Sequence, residues 1–217
     1  MDTQLHVVFG TGPVGQATAR ALLARGHSVR MVNRSGRAEG VEGVTVMRGD
    51  AYDPASVAEL TAGAAAVYQA AQPAYHEWVT KFPPLQTSII EGVARSGAKL
   101  VVVENLYMYG QVDGLIHEGL PYAAHTKKGE VRARMAEEVQ AAHRSGKLRT
   151  VSGRGSDFYG PGVLQSALGE RTFMPALAGK PAEAVARVRE GFRSRATVPG
   201  PAPRTSAIAS SGSTPSR

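Results

Sequence analysis

The sequence of 217 residues contains no cysteine. Disulfides, thiolate metal sites and a cysteine nucleophile are therefore excluded, and the composition suits a reducing cytosol, so a cytoplasmic location is expected. No apolar run approaches the ~20 residues that a membrane span needs, so no membrane partner is expected. The opening Met1-Asp2-Thr3-Gln4 lacks the basic region of a secretory signal. The six histidines show no H-x-x-x-H spacing and no carboxylate cluster, so no metal is expected.

What is present is globular. Hydrophobic residues make up 42%, and a chain of this length buries roughly 70% of its unfolded surface in one domain. The net charge is +7, but it is unevenly placed. Residues 181–217 hold six arginines and two acids, while the preceding 180 residues hold 19 basic and 16 acidic groups. The body is nearly balanced and the basicity sits in a tail. A solvated tail is expected in preference to a nucleic-acid arm.

Apolar runs alternate with helical patterns up to about residue 170. Strands are predicted at Leu5–Phe9, Ser28–Val32, Val44–Met47, Ala65–Ala70, Lys99–Val103 and Leu148–Ser152. A helix is predicted over Pro13–Arg25 with Ala17, Ala21, Leu22 and Leu23 toward the core. Asp53-Pro54 opens another, with Asp at the N-cap and Pro where no donor is needed. A third spans about His76 to Arg95, interrupted by Pro83-Pro84, and a fourth about Lys128 to His143. This alternation predicts an α/β fold, a doubly wound parallel sheet with strand order near 3-2-1-4-5-6. Pro181–Arg195 fits a short amphipathic helix carrying Val185, Val188 and Phe192. Beyond Pro199 the chain has too little apolar surface to order itself.

The most informative stretch is Gly10-Thr11-Gly12-Pro13-Val14-Gly15. A G-x-G-x-x-G directly after a strand and opening a helix is the place where a dinucleotide pyrophosphate sits. Gly10 permits the tight turn, Gly12 lets the diphosphate approach the backbone, and Gly15 lets helix and strand pack closely. The helix N-terminus supplies amides and partial positive charge. Pro13 has no N–H, so the amides of Thr11, Val14 and Gly15 carry the work. After the second strand the chain reads Val32-Asn33-Arg34-Ser35, with Arg37 nearby and without the acid that holds a ribose 2′-hydroxyl in NAD sites. Arg34 can pair with a 2′-phosphate and Ser35 can donate to it, beside Asn33. A charge-assisted bond of about 1.5–3 kcal/mol is a roughly 10- to 150-fold preference for NADP, with NAD taken less well. Asp50, followed by Ala51 after the third strand, has two readings, an acceptor for the adenine amino group or a turn residue.

In order, the landmarks are Gly10–Gly15, Gly49-Asp50 with Asp53, Ala70-Ala71, Tyr109-Gly110 and Tyr159-Gly160-Pro161-Gly162. On these the chain resembles the extended and atypical short-chain dehydrogenase/reductases, the NAD-dependent epimerase/dehydratase group, over roughly residues 4–180. The resemblance implies a Rossmann domain over 1–180, Ala71 among the cofactor contacts, and a homodimer. It also implies NAD(P)-dependent oxidation–reduction or epimerisation of a small carbonyl, alcohol or sugar-nucleotide substrate. In that family a Tyr and a Lys four residues apart handle the proton, the ammonium bringing the phenol, near ~10 when free, toward neutrality. A Ser or Thr steadies the substrate oxygen. Here the stretch is Pro121-Tyr122-Ala123-Ala124-His125-Thr126-Lys127-Lys128. Tyr122 is one residue out of step with Lys127, ~140° around a continuous helix; an irregular helix start brings it back. Asn105 stands five residues before Gly110, at the hydroxyl's position. The candidate catalytic residues are therefore Asn105, Tyr122 and Lys127, with Tyr107, Tyr109, Lys128 and His125 beside them; each tyrosine also has a reading as a packing residue. The departure from Tyr-x-x-x-Lys supports a second expectation, a dinucleotide-binding sensor without chemistry. The change of composition at 181–217 is expected to reflect an altered reading frame where the family's substrate lobe continues.

Overall fold

The computed structural model describes residues 2–156, 158–163, 166, 172–184 and 196–198. The chain divides into two units, 1–156 and 157–217. The first holds six strands: β1 (Leu5–Phe9), β2 (Ser28–Asn33), β3 (Val44–Arg48), β4 (Ala66–Gln69), β5 (Lys99–Glu104) and β6 (Thr150–Arg154). Its helices are α1 (Pro13–Leu23), α2 (Pro54–Thr61), α3 (Trp78–Ser96) and α4 (Lys127–Arg144). All strand pairings are parallel, in the order β3-β2-β1-β4-β5-β6. That is the Rossmann-type order expected from the alternation. It reverses between β1 and β4, which opens a crevice at the carboxyl ends of those strands.

Burial on both faces explains the Val-rich strands. In β1, Val7 and Phe9 point into the core shared with α2, α3 and α4, while Val8 points into the smaller core with α1. All three are at most 1% exposed. Helix α2 begins as predicted, with the Asp53 carboxylate accepting from Ala55 N at 2.9 Å. Gly92 of α3 admits α2 at close range, since a Cβ there would lie 2.5 Å from the Val57 side chain.

Three predictions at this level are corrected. Ala17 and Ala21 of α1 are exposed, and the core face is Gly15, Ala19 and Leu22. The helical stripe is therefore one that starts at Gly15, set by the close contact of that residue with β1. The helix after β4 is not interrupted: Pro83 and Pro84 lie inside α3. The carbonyls they leave without donors belong to Val79 and Thr80, which are exposed and open to water. Burial of Trp78, Phe82, Leu85 and Ile89 along one stripe holds the helix through the prolines. The sixth strand starts at Thr150 and not Leu148, because Leu148 is drawn into the core, its N–H donating to Ala142 O at 3.2 Å.

In the second unit, α5 (Met174–Leu177) precedes β7 (Ala182–Ala184), which pairs antiparallel with β8 (Ala196–Val198). The predicted helix at Pro181–Arg195 is therefore corrected at its start, where Ala182–Ala184 is extended against the β-favouring Thr197 and Val198. The remainder of that prediction, including Val185, Val188 and Phe192, lies outside the described residues, as does the tail beyond Pro199. Among the described residues no helix is long and apolar enough to cross a membrane.

Candidate functional site

The turn after β1 is shaped by what its glycines lack. Gly10 has φ +105, and its N–H donates to Val32 O at 3.0 Å. A Cβ there would meet Ala71 N at 2.7 Å, so Gly10 and Ala71 close the crevice floor between β1 and β4. A Cβ on Gly15 would lie 2.0 Å from Gly10 O, so only glycine lets α1 start against the strand. Gly12 is the contrast, because its missing Cβ would face open space with nothing within 4 Å. Gly12 is also the N-cap of α1, without a side-chain cap. Helix geometry leaves the first N–H groups, those of Val14 and Gly15 among them, without intrahelical acceptors. Open space, unused amides and a helix N-terminus coincide, and these residues fit a pyrophosphate. Thr11 is held in place, its carbonyl accepting from Gln16 Nε2 at 3.0 Å and its hydroxyl from Asn33 Nδ2 at 2.9 Å.

The turn after β2 is organised by Asn33. Its side-chain oxygen accepts from Ser35 N, Ser35 Oγ and Gly36 N at 3.1, 3.1 and 2.7 Å. Its amide also donates to Arg37 O at 2.6 Å. Ser35 thus spends its polar groups within the turn, and Asn33 divides its own between the turn and the Thr11 hydroxyl. Arg34 is exposed, and among the described residues no hydrogen bond or ion pair engages it. Its field reaches two neighbours. Burial pushes the Tyr52 phenol up, against Lys81 and Arg34, which pull it down. The hydrogen bond from Lys81, with a smaller pull from Arg34, holds the Glu77 carboxyl below the usual range. The β2 turn therefore faces the β3–α2 connection and the start of α3. Asp50 accepts from Tyr52 N at 2.9 Å, which is its turn role, and Ala51 beside it packs on the core.

At the carboxyl end of β5, Asn105 Oδ1 accepts from Tyr107 N at 3.3 Å and starts the short 3-10 turn Tyr107–Tyr109. Across from it, the Thr126 hydroxyl accepts from Gly129 N at 3.1 Å and caps α4. Between them lies a groove of about 460 Å³, lined by Tyr75, Tyr107, Gly110, Gln111, His125, Thr126, Lys127 and Lys128. Lys128 Nζ lies 3.2 Å above the Tyr75 ring centre. Tyr122 lies elsewhere. The cap starts the helix at Lys127, so Tyr122 stands on an irregular approach and the angular offset of a continuous helix does not apply. Its hydroxyl receives hydrogen bonds from Gln140 Nε2 at 2.7 Å and Arg154 NH2 at 2.6 Å. It lines a separate recess of about 710 Å³ with Arg134, Glu137 and Gln140. The structure brings Lys127 together with Tyr107 and not with Tyr122.

A buried charge cluster of Glu104, Arg132 and Arg154, absent from the expected site residues, ties these loops together. Glu104 is 1% exposed and Arg132 1% exposed. Arg154 Nε donates to Glu104 Oε2 at 2.9 Å, NH1 to the Tyr109 hydroxyl at 2.5 Å and NH2 to that of Tyr122. One guanidinium thus holds both the 105–110 loop and the 121–126 approach. Burial alone would lower Arg154, but its bonds to Glu104 and Tyr122 more than offset that and raise it above the ordinary arginine value. Burial lowers Arg132, with Glu104 opposing and Arg154 adding to the shift. Its NH2 lies 3.7 Å from Glu104 Oε1, and its guanidinium 4.7 Å from the Phe82 ring centre. The one signal in the sequence is an acid, Glu104, closing the apolar run Leu100–Val103. Among the described residues no cluster of three or more metal-ligating side chains occurs.

No curated protein sequence matches the chain. Solved structures do. UDP-glucose 4-epimerase from Brucella ovis, in complex with NAD, is 20% identical over 70% of this chain and 51% of its own, with a TM-score of 0.61. WbmH from Bordetella bronchiseptica, in complex with NAD+, is 18% identical over 83% and 64%, with a TM-score of 0.68. UDP-N-acetylglucosamine 4-epimerase from Methanobrevibacter ruminantium is 16% identical over 83% and 65%, with a TM-score of 0.70. The chain spans about half to two thirds of the length of these proteins, and the likeness is one of fold. The model of the NAD dependent epimerase/dehydratase family matches residues 7–193. That match takes in the parallel sheet from Val7 onward and the turn that opens it, and the chain belongs to the NAD dependent epimerase/dehydratase family.

Proposed function

We propose that the chain binds a nicotinamide dinucleotide along the β1 turn, with NADP preferred to NAD, and acts as an oxidoreductase or epimerase on a small carbonyl, alcohol or sugar-nucleotide substrate. The observation that carries this reading is the open space at Gly12 beside the unused α1 amides, with crowding at Gly10 and Gly15. The diphosphate would rest on the amides of Thr11, Val14 and Gly15. The 2′-phosphate would meet the exposed Arg34, on a turn that Asn33 and Ser35 hold rigid, and Asp50 and Ala51 would flank the adenine. When bound, the nicotinamide supplies or accepts hydride. The chain's own part is to hold the substrate oxygen and move its proton. Asn105 keeps its amide N–H groups for that oxygen while its carbonyl caps the Tyr107 turn. Of the candidate phenols, Tyr107 is the one that shares a groove with Lys127 and Lys128.

Calorimetry with NADPH and NADH on the wild type and Arg34→Ala tests the cofactor. NADPH binding at least about tenfold tighter, with the gap erased by Arg34→Ala, is expected. Equal affinities would remove the NADP preference, and no binding of either would remove the whole reading. One observation favours a second reading, a dinucleotide-binding sensor. The Tyr122 hydroxyl is engaged by Gln140 and Arg154 and does not meet Lys127. Substrate-dependent NADPH turnover that Tyr107→Phe and Lys127→Ala abolish decides for the enzyme. A cytoplasmic homodimer belongs to the same proposal, and light scattering checks the assembly.

A further inference from the structure

The groove between the Tyr107 turn and the start of α4 has a chemistry of its own. Lys127 and Lys128 bring two ammonium groups to it, His125 an imidazole, and among the described residues no carboxylate lines it. The Lys128 ammonium is parked on the face of Tyr75. Tyr75 in turn meets Trp78 edge-on at 5.0 Å between ring centres. The other aromatic wall, Tyr107, is 40% exposed and lies 6.0 Å from the same Trp78 ring. A cation held on one wall, a flat ring on the other and no opposing acid among the described residues select for a ligand that is both negative and flat. We propose that this groove receives a planar organic anion, a ring or conjugated carbonyl carrying a carboxylate. Lys128 is its charge anchor, Tyr75 positions that ammonium, and Tyr107 is the flat wall. The inference names the substrate class for the reaction site proposed above and rests on that reading of the groove.

The protein carries its own reporter. Trp78 is its only tryptophan, and it touches both walls. Benzoate, acetate and benzamide, titrated against Trp78 fluorescence of the full chain, separate charge from flatness. Benzoate is expected to saturate at least about tenfold more tightly than either ringless acetate or uncharged benzamide. Lys128→Gln is expected to weaken benzoate by about tenfold or more, and Lys128→Arg to stay within about threefold of wild type. Circular dichroism of both variants shows that they are folded. Acetate or benzamide binding as well as benzoate, an unaffected Lys128→Gln, or no saturable signal at all would overturn the proposal. Calorimetry with NADPH on the wild type keeps the two readings apart. Benzoate binding without dinucleotide binding leaves the groove as a planar-anion site and removes the oxidoreductase, and with it the anion's role as substrate. Dinucleotide binding without benzoate binding removes this inference alone.

Discussion

The two ends of the crevice are built from different materials. At β1 the proposed recognition surface is backbone: a glycine turn, unused amides and a helix start within six consecutive residues. At β5 it is side chains, brought from Tyr75, the 105–110 loop and the start of α4, with Arg154 of β6 bonded to Tyr109 and Tyr122. A backbone site tolerates change where space is open and fails where it is filled. A side-chain site depends on distant residues that never touch a ligand.

The sharpest way to break the comparison is at Gly15. Gly15→Ala drives a methyl group into Gly10 O, 2.0 Å away, and is expected to cost about 3 kcal/mol or more. Gly12→Ala, with nothing within 4 Å and an ordinary φ of −74°, is expected to change stability by less than about 0.5 kcal/mol while weakening dinucleotide binding. Urea denaturation paired with calorimetry reads both. Equal stability losses in the two variants would mean the turn is only structural.

At the side-chain end, Arg154→Met leaves Glu104 buried and poorly compensated. A loss of about 3–5 kcal/mol is expected. The double variant Glu104→Gln/Arg154→Met should lose less than the sum of the two single changes, because the carboxylate that Arg154→Met strands is then gone and Arg132 is the one buried charge of the cluster left without its partner. Additive losses in a double-mutant cycle would dissolve the clamp into independent contacts. The α3 prolines give a smaller effect of opposite sign. Pro84 is exposed, and Pro84→Ala restores a donor for Thr80 O, so a gain of about 1 kcal/mol in thermal or urea unfolding is expected.

The smallest effect lies at neither end. His6 of β1 packs against His27, ring centres 4.5 Å apart, and its Nδ1 is 3.2 Å from the Tyr68 hydroxyl. Burial, with repulsion from His27, holds its pKa below the ordinary 6.5. The unfolded chain therefore takes up the proton first. Stability is full above about pH 6.5 and is lost as pH falls through the lowered folded value. Denaturation midpoints between pH 7.5 and 5 should fall in the wild type and flatten in His6→Asn. A midpoint that stays level in the wild type would contradict the buried neutral imidazole.

The order of the strands and the place of the crevice were legible because both are written locally. Strand runs, the Asp53-Pro54 start and the three glycines each act within a few residues. The exposed position of Arg34 was legible for the same reason, since it sits one residue past a strand end. Tyr122 was not, because its environment depends on where α4 starts and on Arg154, 32 residues away. The continuous α3 was not, because a proline's cost is local while the burial of Trp78, Phe82 and Leu85 that outweighs it is not.

By itself, then, the sequence determined the parallel sheet, the glycine turn and the exposed arginine after β2. These follow from periodicity and from the steric freedom of single residues. Only the tertiary structure decided which phenol shares a groove with the lysines and which is tied to a buried arginine. Those pairings join residues from separate loops, and a buried charge such as Glu104 takes whatever partner the packing brings within reach.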